Sequence, residues 1–163
     1  MAGGTHQMLF VLAAMALLSQ ITLVVNRYVG SNLQSSLSSE ATITAAGLAQ
    51  SMLREVTMKD FDKSAVAGPV SNPNSLTSVG SLGPEPGETF PNFDDLDDFD
   101  QYERTVTTPR LGDLRLRTQV WYVENSDLDN PAVSRTFLKR VTVTVDQNPS
   151  LEYDITVTKI VSY

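Results

Sequence analysis

The sequence reads as an α+β protein: a long N-terminal α-helix, apolar in its first third, packs by its second half on a C-terminal antiparallel β-sheet. Three observations predict this ladle-like layout. Met8–Val25 carries no charge, and only Ser19, Gln20 and Thr22 interrupt its apolar run. Helix-compatible residues continue to about Lys63, and the first proline is Pro69. From Tyr102 onward, runs rich in Val, Thr, Tyr and Ile are separated by turn signals, the pattern of short strands. The chain accordingly divides into an apolar helix over 1–30, its amphipathic continuation over 31–63, an irregular segment over 64–101 and a sheet over 102–163.

The apolar run spans 18 residues, just enough to cross a bilayer as a helix. Met1–Gln7 has no Lys or Arg, and no small-x-small site follows Leu18, so the run reads as a retained anchor rather than a cleaved signal peptide. Met8, Leu9, Phe10, Leu12, Ala13, Ala16, Leu17, Ile21, Val24 and Val25 are its candidate contacts with lipid or with neighbouring helices. Small residues such as Ala13, Ala14, Ala16 and Ser19 permit close helix approach. A continuous helix over residues 5–63 would be on the order of 85 Å long, far more than a bilayer needs. Leu33, Leu37, Ala41, Thr44, Leu48, Met52 and Val56 recur at helical spacing and predict the face that covers the sheet.

Residues 64–92 contain Pro69, Pro73, Pro84, Pro86 and Pro91 with Gly68, Gly80, Gly83 and Gly87, which leaves no periodicity and predicts a long loop. An acidic segment follows, Phe93-Asp94-Asp95-Leu96-Asp97-Asp98-Phe99-Asp100-Gln101-Tyr102. Its apolar residues stand three apart, which predicts one short helical or 3₁₀ turn docking an apolar edge. Asp94, Asp95, Asp97, Asp98 and Asp100 read as a solvated acidic turn. An oxygen-rich set of this kind also suits Ca²⁺, although the EF-hand pattern is not met.

Tyr102–Pro109, Asp113–Asn125, Ser134–Asp146 and Leu151–Tyr163 read as strands. Leu114, Leu116, Val120 and Tyr122 fall on one face and Arg115, Arg117 and Gln119 on the other. Val141, Val143 and Val145 alternate with threonines, and Tyr153, Ile155, Val157, Val161 and Tyr163 form the last apolar register. Trp121 and the strand tyrosines are expected to pack.

Charge and composition exclude several functions. In residues 1–63, Arg27, Arg54, Lys59 and Lys63 balance Glu40, Glu55, Asp60 and Asp62, so the net charge of −7 lies entirely in residues 64–163. A domain of that sign does not suit a nucleic-acid backbone. With no cysteine and with His6 as the only histidine, thiol catalysis, Cys/His metal sites and a Ser-His-Asp arrangement are not expected. The reading is a non-enzyme without a cofactor, Ca²⁺ being the one cation its residues suit.

This layout resembles that of type IV pilins and pseudopilins, and Phe93–Tyr102 resembles the Asp-rich segment of minor, pilin-like members. The resemblance implies insertion as a single-pass membrane protein, extraction by pilus or secretion assembly machinery, and polymerisation with copies of itself into a cell-surface filament. The family's usual glutamate at the fifth mature position is missing: counting five from Met1, Gly4 or Thr5 reaches Thr5, Met8 or Leu9. The physical logic of the reading is that lipid and a bundle of apolar helices remove similar apolar area from water. A segment can therefore pass from membrane to filament core without exposure. The alternative is a single-pass, membrane-anchored binding or assembly component of a secretion or envelope machine, with the sheet and the 64–102 loop as its recognition surface.

Overall fold

The computed structural model describes residues 3–66 and 68–163. Met1 and Ala2, which open the 1–30 segment and include one of the starting points for the count to position five, lie outside the described residues, as do Ala67 and the side chain of Thr5. The elements are α1 (Gly3–Thr57), α2 (Lys63–Val66), β1 (Glu103–Thr108), β2 (Gly112–Tyr122), β3 (Leu138–Asp146) and β4 (Ile155–Ser162), with 3₁₀ turns at Pro73–Ser75, Val79–Ser81 and Asp97–Phe99. The chain forms two units, Met1–Ser39 and Glu40–Tyr163.

In the second unit the expected α+β packing is present. The four strands lie in the order β1-β2-β3-β4, every neighbouring pair antiparallel. Leu114, Leu116, Val120, Tyr122, Val141, Val143 and Val145 are buried on one face, as strand alternation dictates. Against them pack Ala45, Ala49, Met52 and Val56 of α1.

The helix stripe differs from the predicted one. Ala41, Ala45, Ala49, Met52 and Val56 are fully buried, while Thr44 and Leu48 are half-buried and Leu33 is 59% exposed. Alanines make up most of the fully buried line, and the larger Leu48 and Leu53 flank it partly buried. The leucine-weighted periodicity therefore traces the edge of the contact, and the cover starts at Ala41 rather than at Leu33.

The helix also stops short of Lys63. Met58 and Lys59 close its last turn on the carbonyls of Arg54 and Val56, and Asp60 then pairs with Asp95 in a parallel bridge. Its N–H donates to the Asp94 carbonyl (3.3 Å), and its carbonyl accepts from the Leu96 N–H (2.9 Å). Pairing with the acidic segment overrides local helix propensity.

The proline- and glycine-rich segment is laid onto this core. Leu76 is buried, and Val70, Val79, Leu82 and Phe90 pack against the cluster. Phe93, Leu96 and Phe99 are buried, so the 3₁₀ turn docks its apolar edge as predicted. Phe93 meets Phe99 edge-on at 4.9 Å between centroids, and Phe90 stacks on Tyr102 at 5.2 Å, geometries that aromatic pairs favour. Two sheet aromatics depart from expectation. Trp121 lies half-exposed on the outer face with the Arg140 guanidinium 5.7 Å from its ring centroid. Tyr153 falls before β4 and is 73% exposed, so the apolar register of the last strand starts at Ile155.

Candidate functional site

In the first unit, every described side chain from His6 to Ser36 is exposed. These include Met8, Leu9, Phe10, Leu12, Leu17, Ile21, Val24 and Val25, each more than half exposed, and the small Ala13 and Ala16. This helix is long and apolar enough to cross a membrane. Two of its three polar interruptions fit such a setting, because Ser19 Oγ donates to the Met15 carbonyl (2.9 Å) and Thr22 Oγ1 to the Leu18 carbonyl (2.9 Å). Hydroxyls satisfied within their own helix need no water.

The acidic segment is organised otherwise than the sequence led one to expect. A solvated turn would expose all five aspartates. Instead Asp95, Asp97 and Asp98 are buried, Asp100 is half-buried and only Asp94 is exposed. The reason lies in backbone hydrogen bonding. Asp98 Oδ2 accepts from the N–H groups of Asp94 (2.9 Å) and Asp95 (3.1 Å), and Asp95 Oδ1 accepts from those of Asp97 (2.6 Å) and Asp98 (3.3 Å). Asp100 Oδ1 accepts from the Val120 N–H (2.9 Å). The aspartates serve as local backbone caps that hold the turn in place. Burial, with Asp97 and Asp98 close by, pushes the Asp95 carboxyl up to about 7.

Behind this turn lies a buried charge cluster. Lys139 Nζ donates to the Phe61 carbonyl (2.7 Å), to Asp62 Oδ2 (3.1 Å) and to Asp97 Oδ1. It also sits 4.4 Å from the Phe61 ring centroid and 4.9 Å from that of Tyr122. The Tyr122 hydroxyl donates toward Asp62 Oδ2 (3.1 Å) and the Thr77 carbonyl (2.9 Å). Burial pushes Asp62 up, but the Thr77 N–H, the Lys139 ammonium and the Ser64 N–H together hold its carboxyl at about 2. Burial prevails at Asp97, lifted to about 6 against the pull of Lys139. One ammonium thus ties three chain segments, Phe61-Asp62, Asp97 and β3, into one core.

Sequence reasoning missed this hub, although a signal was present. Lys139 stands in the same strand register as Val141, Val143 and Val145, so it points inward, and an inward lysine requires buried partners. It also missed Glu85 and Glu88. The ligand oxygens of Glu85, Glu88 and Asp98 lie within 4.8 Å of one another, and so do those of Asp94, Asp95 and Asp98. Of the five predicted cation ligands, Asp94, Asp95 and Asp98 come together, whereas Asp97 turns to Lys139 and Asp100 to the β2 backbone.

A groove of about 530 Å³ opens beside the outer face, lined by Val79, Leu82, Gln101, Glu103, Arg117, Gln119 and Trp121 among others. The Trp121 indole N–H and the Thr118 hydroxyl there are buried without a partner. No protein-family model matches the chain, and neither the curated proteins nor the solved structures contain a match to it.

Proposed function

We propose that this chain is a structural subunit of a type IV pilus-like surface filament, held in the membrane by its N-terminal helix before assembly and packed against copies of itself afterwards. The observation that carries the reading is the contrast in burial along α1. The sheet unit completes its own core with Ala41–Val56, leaving Met8–Val25 with a full circumference of apolar side chains and no cover. Exposed apolar surface on that scale calls for lipid or another protein around it. An all-round apolar helix, with small residues at Ala13, Ala14, Ala16 and Ser19, suits both in turn.

The groove beside Trp121 favours the second reading, an anchored binding component. Its aromatic ring, amides and unpartnered donors offer a ligand both stacking and hydrogen bonds. Shearing cells that express the chain, imaging the released material and identifying its components by mass spectrometry separates the two. Uniform thin fibres composed chiefly of this chain support the filament reading. Retention of the chain in the membrane fraction, with fibres lacking it, rejects that reading in favour of the anchored module.

A further inference from the structure

The sequence Glu85-Pro86-Gly87-Glu88 closes a tight turn in which the Glu88 N–H donates to the Glu85 carbonyl (2.9 Å) and Gly87 takes φ 92°. Proline at the second position and a positive-φ glycine at the third are the requirements of a type II turn. Such a turn brings its first and fourth residues together, so two carboxylates meet at its mouth. Asp98 comes to the same place from the acidic segment.

Glu85 and Glu88 hydrogen-bond to each other, but Asp98 has no such partner within the cluster. Asp98 spends one oxygen on the Asp94 and Asp95 N–H groups, and its other oxygen, Oδ1, is buried without a partner. Glu85 has one oxygen 2.9 Å from the Lys63 ammonium, and its Oε2 is likewise buried and unpartnered. Two orphaned carboxylate oxygens in one cluster of three acids are costly unless something positive meets them. Lys63 is more than half exposed and engages Glu85 from outside, which leaves Asp98 without a cation.

We propose that Glu85, Glu88 and Asp98 bind a calcium ion, with Asp94 at its rim. The donor set is all oxygen, which selects a hard cation. At the usual coordination distance of about 2.4 Å, one ion can reach oxygens as close together as these three. Loop carbonyls and water complete the shell. The ion links the Glu85–Glu88 turn to the acidic turn, clipping the irregular segment onto the sheet unit. This site stands on local geometry and holds whether or not the chain polymerises.

The test is calorimetric titration of CaCl₂ into the full chain in detergent at neutral pH after chelation, paired with thermal melting followed by Trp121 fluorescence. One site with a dissociation constant on the order of 10⁻⁴ M is expected, together with a rise in Tm of about 5 °C at millimolar calcium. Glu88→Gln, at a half-buried position where the amide can still donate to Glu85, should leave the chain folded and should weaken binding at least about tenfold. No heat and no Tm shift from a folded parent chain would overturn the proposal. Equal binding by Glu88→Gln would do the same, as would an equal shift from MgCl₂, which marks charge screening rather than a calcium site.

Discussion

The two halves of α1 belong to one continuous helix and meet opposite fates. Over residues 6–36 every side chain is exposed, although most are Leu, Val, Met, Ile, Phe or Ala in the first two-thirds of that stretch. From Ala41 to Val56 a narrow stripe of three alanines, a methionine and a valine is fully buried, while Ile43 on the other side is 74% exposed. Burial in the second half is decided by position on the helix, in the first half by nothing within the chain. An amphipathic helix finds its partner in its own fold, whereas one apolar on all sides has to find it elsewhere.

The largest effect that bears on this contrast is expected in the sheet unit alone. Lys139→Met removes the only ammonium contacting Asp62 and Asp97 among the described residues, leaving both buried carboxyls without a cation, although Asp62 keeps the Ser64 and Thr77 N–H groups and the Tyr122 hydroxyl. Stability should fall by about 3–5 kcal/mol, measured by chemical denaturation of the full chain in detergent, with membrane partition of the chain unaltered. Leu12→Asp should do the converse. It costs about 3 kcal/mol of insertion free energy, seen as loss from the membrane fraction, and leaves the sheet unit's melt unchanged. If it lowered that melt, the two halves would not be independent.

A finer comparison uses one substitution in both halves. Ala49→Leu overpacks a fully buried core position and should cost about 1–3 kcal/mol, whereas Ala13→Leu should leave the denaturation midpoint unmoved. The smallest effect is on pH dependence and belongs to the sheet unit. Asp62 is held at about 2, and Asp146 is held below the usual carboxylate range, chiefly by the Arg115 side chain and also by Arg117. A carboxyl with a depressed folded-state pKa adds stability above its unfolded value, near 3.8, and loses it as pH falls through the folded value. Tm should therefore drop between about pH 4 and pH 2, and Asp62→Asn should shallow that drop. Asp95 and Asp97, both raised, act in the opposite sense, because the folded chain takes up their protons before the unfolded one does; their slope fades only as pH falls below the unfolded value near 3.8, so the drop is expected chiefly toward the acid end of that window.

What the sequence made legible was periodic. The strands, their inward faces and the apolar run all follow from spacings of two and of three to four, because backbone geometry fixes where those side chains point. What it left hidden was tertiary. The aspartates read as solvated because five like charges repel, and nothing local reveals that backbone N–H groups meet Asp95 and Asp98 in the interior while Lys139 meets Asp97. The carboxylate cluster unites Glu85 and Glu88 with Asp98 across the irregular stretch Thr89–Asp97, a distance no periodicity spans. Lys139 was in plain view in a valine register, but its partners at Asp62 and Asp97 lie 77 and 42 residues away.

The central claim is that Met8–Val25 is built to be buried among copies of itself. A helical reconstruction by cryo-electron microscopy of fibres sheared from cells expressing the chain tests it most directly. The account predicts fibres of this chain with Met8–Val25 bundled at the axis and the sheet unit outside. Fibres with that segment on the surface, or an axis formed by a different protein, would contradict it.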